Sequence, residues 1–94
     1  MKKDEVYLQH ILESIRAIKK FTKNITRGKF LKNRLIQSAT IREIEVIGEA
    51  TKNLSQAIRR RYNNVSWREM AGMRDKAIHE YFSVDWDIVW DTIQ

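Results

Sequence analysis

Arg74, Asp75, His79 and Tyr81 lie within one short run, Arg74-Asp75-Lys76-Ala77-Ile78-His79-Glu80-Tyr81. Arginine is permanently cationic and offers a fork of donors that suits a phosphate. An imidazole moves a proton near neutral pH. The pair is therefore a kit for cleaving RNA without metal. The histidine would deprotonate the ribose 2′-hydroxyl or protonate the leaving oxygen, and the arginine would stabilise charge on the phosphorane. The same residues also suit a plain helix end: a surface arginine, a histidine favourable to the helix dipole, and a packed tyrosine. Spacing alone does not choose between these readings.

Helical geometry refines the chemical one. At about 100° per residue, Tyr81 returns to the face of Arg74, roughly 10 Å further along the axis. Asp75 and His79 are four residues apart, so a carboxylate there would orient the imidazole and favour its charged form. His79 is rotated about 140° from Arg74, so within one straight helix the two side chains diverge. A complete site then needs a second copy of the helix, which a two-fold dimer would supply.

The elements that must position this run are helices. Apolar residues Leu8, Ile11, Leu12, Ile15 and Ile18 recur at three- and four-residue spacing and predict a first helix over 4–21. Residues 22–29, with Asn24 and Gly28, read as a loop. Leu35, Ile36, Ala39, Ile44, Ile47 and Ala50 predict a long second helix over 30–53. Residues 54–61 extend it or form a short helix of their own, and Tyr62-Asn63-Asn64 is the next break. Ser66-Trp67-Arg68-Glu69 fits a capping box that opens a third helix running to 81, with Val65 and Met70 placed as a hydrophobic staple. Ser83 or Asp85 can cap a fourth, in which Trp86, Val89, Trp90 and Ile93 share one face. That stripe reads as core. The expected architecture is all-α, an up-and-down four-helix bundle forming a single domain over 1–94.

Composition bounds the function. The chain has 94 residues, 43% hydrophobic and 32% charged, with no proline and no cysteine. Disulfides and thiol nucleophiles are excluded. With only His10 and His79 as histidines, no dedicated metal site and no cofactor are expected. No apolar run is long enough to span a bilayer, and the Lys-rich start has no apolar stretch behind it. A cytoplasmic location with no membrane partner is the expectation. The net charge is +6 and unevenly spread: Arg16, Lys19, Lys20, Lys23, Arg27, Lys29, Lys32 and Arg34 occur with no acid between them. Such a lopsided positive field attracts polyanions.

The segment Met73-Arg74-Asp75-Lys76-Ala77-Ile78-His79-Glu80-Tyr81-Phe82 resembles the HepT family of HEPN-domain proteins. Val84-Asp85 and Asp87-Ile88-Val89-Trp90 extend the likeness. Further matches are residues 4–15, the run Ile41-Arg42-Glu43-Ile44-Glu45-Val46-Ile47-Gly48-Glu49-Ala50, and Trp67-Arg68-Glu69-Met70-Ala71-Gly72. The family motif, Arg, four residues, His, one residue, Tyr, falls on Arg74, His79 and Tyr81. The resemblance implies a HEPN-like helical fold, a homodimer, and a metal-independent endoribonuclease acting as the toxin of a toxin–antitoxin pair. It implies Arg74 and His79 as catalytic residues, to which the helical spacing adds Asp75 in support. It also implies a minimal nucleotidyltransferase antitoxin that silences the toxin by attaching AMP to Tyr81. Family members usually continue with further helical sequence, so the chain reads as a form shortened at its C-terminus. The proline-containing turn usual before the third helix is Tyr62-Asn63-Asn64-Val65-Ser66 here. Two other readings are a non-catalytic partner that presents the nucleotidyltransferase with a substrate, and an RNA-binding bundle resting on the basic run.

Overall fold

The computed structural model describes the backbone of residues 2–80 and 83–94 and the side chains of residues 3–72 and 85–94. Among these, six helices and one two-stranded hairpin follow in order: α1 (Lys2–Phe21), α2 (Arg27–Lys32), α3 (Arg34–Lys52), α4 (Gln56–Arg61), α5 (Trp67–Ala77), β1 (Ile78–Glu80), β2 (Ser83–Val84) and α6 (Trp86–Ile93). The all-α class holds, because the helices carry the core. The four expected helices correspond to α1, α3, α5 and α6. The short α4 is the separate helix that residues 54–61 allowed, and α2 is an addition.

The expected 30–53 helix is split at Asn33. Its side chain accepts from the Ile36 amide at 3.0 Å and starts α3, while its own N–H donates to the Phe30 carbonyl at 3.2 Å and closes α2. Its backbone is extended, at φ −109° and ψ 95°. Thr26 opens α2 by accepting from the Lys29 amide. Part of the expected 22–29 loop is therefore helical. Ser55 caps α4 in the same way, accepting from the Ile58 amide at 3.3 Å. Asn24 takes the left-handed conformation, φ 61°, that asparagine tolerates better than most residues.

α3 is the centre of the fold. α1 lies along it, α5 packs on another side, and α2 touches both α3 and α6. Ile11, Ile18, Phe30, Ile44, Ile47, Ala50, Leu54 and Val89 form the buried core. Two residues of the expected stripes face solvent instead: Leu12, and Leu35, which is 80% exposed. Polar residues take positions inside. Thr51 satisfies its hydroxyl by donating to the Ile47 carbonyl, and Gln37 donates to the Leu31 carbonyl. Trp86, Trp90 and Ile93 pack against the core, as the tryptophan stripe predicts. Phe30 meets Trp86 edge-on at 6.3 Å and Trp90 at 5.2 Å between ring centres.

Candidate functional site

The Arg74–Tyr81 run is held between two anchored helices. On its N-terminal side, α5 starts at Trp67. The expected capping box does not form: the Ser66 carbonyl accepts from the Met70 amide, and among the described residues no bond links the Ser66 and Glu69 side chains to the helix start. The turn before the helix is gripped by Trp67 instead. Its indole Nε1 donates to the Tyr62 carbonyl at 3.0 Å, and its amide donates to the Val65 carbonyl at 2.9 Å. Met70 packs against the core, and Ala71 lines a surface pocket together with Gly48 of α3.

On its C-terminal side, α6 has a clear start. Asp85 Oδ1 accepts from the Asp87 amide at 3.1 Å and the Ile88 amide at 3.2 Å. The side-chain oxygen thus satisfies amides that the helix cannot. Arg27 of α2 then clamps α6. Its Nε donates to Asp87 Oδ1 at 3.2 Å, and its Nη2 lies 3.2 Å from Asp87 Oδ1 and 3.4 Å from Asp91 Oδ1. Val89 beneath is fully buried.

Between these anchors, Arg74 and Asp75 stand in the last turn of α5, and His79 is the central residue of β1. Ile78 lies opposite Val84 and Glu80 opposite Ser83 in antiparallel pairing. The expectation of one helix running to 81 is therefore corrected. The helix ends at Ala77, so the rotation argument applies to Arg74 and Asp75 alone. The helical Asp75–His79 contact and the Arg74–Tyr81 stripe both require helix that is absent. Ile78 and Val84 are β-branched, and Tyr81 and Phe82 are aromatic, a composition that favours extended chain over helix. Tyr81 itself lies outside the described residues, and the structure describes the backbone but not the side chains of Arg74, Asp75 and His79.

No group of three His, Asp or Glu residues that could hold a metal exists among the described residues. No described helix is long and apolar enough to cross a membrane. The titratable group whose environment moves it lies elsewhere. Asp4, 3% exposed, accepts from the Ser55 amide at 2.8 Å and from the Ser55 hydroxyl at 2.7 Å. These bonds, the amide first, hold its carboxyl below the ordinary value of 3.8. Sequence reading missed both this clamp and the Arg27 clamp. Asp4 and Ser55 are 51 residues apart, and no local pattern joins them. Arg27 sits inside a basic run that reads as uniform charge.

Comparison with known proteins places this geometry in context. The family described as ribonuclease HepT-like matches residues 11–94, which include the whole Arg74–Tyr81 run. A Methanocaldococcus jannaschii protein named as a gamma-glutamylcyclotransferase and "putative RNase" is 46% identical over all of this chain, which spans 43% of that relative's length. A "putative RNase" of Caldanaerobacter subterraneus is 44% identical over 99% of the chain and 83% of its own length. A Thermococcus cleftensis protein named "probable ribonuclease HepT" is 46% identical over 94% of the chain and 80% of its own length. No solved structure matches the chain.

Proposed function

From the premise that the chain belongs to the ribonuclease HepT-like family, a family of ribonucleases, we propose that it is a metal-independent endoribonuclease with Arg74 and His79 as its catalytic residues. The observation that carries the reading is the Arg74, His79, Tyr81 spacing inside the matched segment. An imidazole accepts the proton of a ribose 2′-hydroxyl. The oxygen attacks the adjacent phosphorus, and the bond to the 5′-oxygen breaks as that oxygen takes up a proton. The products are a 2′,3′-cyclic phosphate and a 5′-hydroxyl. One imidazole cannot both accept and supply a proton in a concerted step. Two copies of the site, one from each subunit of a homodimer, provide the second group. Arg74 neutralises the charge on the phosphorane. Asp75, beside Arg74 in the last turn of α5, is the supporting acid of the same segment.

Tyr81 is the control point. Its phenolic oxygen would take AMP from ATP, with pyrophosphate leaving, in a reaction run by a minimal nucleotidyltransferase antitoxin. The product carries an anionic phosphodiester two residues from His79 and competes with RNA for the Arg74 cation. On this reading the protein is the toxin of that pair.

The test is cleavage of RNA by the purified chain in EDTA, with a mass gain of one AMP at Tyr81 as the companion measurement. His79→Ala and Arg74→Ala should each abolish cleavage with circular dichroism unchanged. Full activity in a clean His79→Ala preparation would sink the proposal, and loss of the parent's activity with chelator would point to a metal instead.

A further inference from the structure

The chemistry above leaves one large feature unused: the basic end of the molecule. No acidic residue occurs between Glu13 and Glu43. Within that stretch Lys19 and Lys20 close α1, Lys23 sits in the turn, Lys29 and Lys32 are on α2, and Arg34 opens α3. All six are exposed, and among the described residues none is in an ion pair. They are not scattered along a floppy loop. The Thr22 amide donates to Ile18, Ile25 to Thr22, and Phe30 to Thr26. With Phe30 fully buried, the turn and α2 form a fixed corner.

That corner is joined to the candidate site through α6. Phe30 packs on Trp86 and Trp90, and Arg27 holds Asp87 and Asp91. Trp86 begins α6 two residues after β2 ends, and β2 pairs with the strand that carries His79. The Arg27 clamp also matters electrically. Asp87 and Asp91 are acids beside the corner, and their pairing with Arg27 reduces their repulsion of a polyanion.

We propose that this corner is an RNA-backbone track: Lys19, Lys20, Lys23, Lys29, Lys32 and Arg34 bind the phosphates of the strand that the hairpin cuts, independently of its sequence. This rests on the ribonuclease reading for the identity of the polyanion. Five of the six cations are lysines, flexible point charges that follow a phosphate chain without demanding a fixed geometry. Binding of this kind releases counterions, so affinity falls with salt at about 0.7 log units per log unit of salt for each phosphate contacted on a single strand.

The second basic cluster supplies the control. Arg60 and Arg61 are on α4, whose cap Ser55 bonds Asp4 near the start of α1. α1 is about 30 Å long, so the two clusters lie near its opposite ends. The experiment measures binding of a labelled, 2′-O-methylated single-stranded RNA, which cannot be cleaved, to the full chain across a salt series. A variant carrying Lys20→Gln, Lys23→Gln, Lys29→Gln and Lys32→Gln should lose roughly a hundredfold in affinity at near-physiological salt, with a salt slope shallower by up to about 3. Arg60→Gln with Arg61→Gln should bind like the parent. Unchanged RNA affinity in the fourfold variant overturns the track. So does an equal loss in the Arg60/Arg61 control, which would mean a diffuse field. Retained RNA binding with lost binding to the nucleotidyltransferase overturns it in favour of a protein dock. If the parent binds through this corner and cleaves nothing, the track stands and the ribonuclease reading falls.

Discussion

The two ends of α1 are fastened in opposite ways. Near its start, a buried carboxylate does the work: Asp4 takes both the amide and the hydroxyl of Ser55. The neighbouring α4 also turns charge inward, since Arg59 donates to the Thr51 carbonyl at the end of α3. At its far end the fastening is apolar. Phe30 of α2, which follows the turn after α1, packs on Trp86 and Trp90 of α6, and the cations around it are left in solvent, apart from Arg27. Similar residue types therefore serve different purposes at the two ends. Where charge is consumed by backbone and side-chain partners it holds the fold. Where an aromatic contact already holds the fold, charge is free for a ligand.

Substitutions can break this comparison, and the largest effect belongs to the aromatic end. Phe30→Ala removes a fully buried ring and should cost about 3–5 kcal/mol, read as a lower denaturant midpoint. A loss well under 1 kcal/mol would mean that α2 is not seated on α6. Ser55→Ala comes next. It deletes an N-cap worth roughly 1 kcal/mol and also strips Asp4 of one donor.

Acid sharpens the contrast further. The Asp4 carboxyl titrates below its unfolded value of 3.8. Its contribution is therefore fully present above that value and is lost as pH falls through the lower folded value. Stability of the parent should drop on acidification below about pH 4. Asp4→Asn, which can keep an acceptor for the Ser55 amide, should flatten that part of the profile. An unchanged slope would show that other carboxylates govern acid unfolding. The smallest effect is Arg27→Ala. Its ion pairs are roughly half to two-thirds exposed, so the stability cost should stay within about 1 kcal/mol and shrink with salt.

Much of the scaffold could be read from sequence, and the reasons for the exceptions are physical. α1, α3 and α6 carry the apolar periodicity that burial demands, and the Asp85 cap and tryptophan stripe are local signals. Asn33 hid its break because the apolar spacing runs on past it, although its side chain is well suited to an N-cap. The Ser66 signature misled because Trp67 found better partners in the preceding turn. Nothing like glycine or proline marks the end of α5. The change there is one of propensity, from Met73-Arg74-Asp75-Lys76-Ala77 to a β-branched and aromatic stretch. The candidate site is legible in the sequence only as a set of residue types and spacings. Its division into helical stripes is not, since that depends on helix continuing past Ala77.

Arg27 illustrates how a formal charge differs from an available one. It is the cation of the basic run that is paired among the described residues. A salt titration of this protein therefore records two ionic events at once. On the proposed track, electrolyte would displace a bound polyanion, and it would also screen the Arg27 bridge and uncover two aspartates beside the same surface. The apparent number of ions released on binding would then exceed the number of phosphates touched. Repeating the titration on Arg27→Ala separates the stoichiometry of the contact from the loosening of the joint.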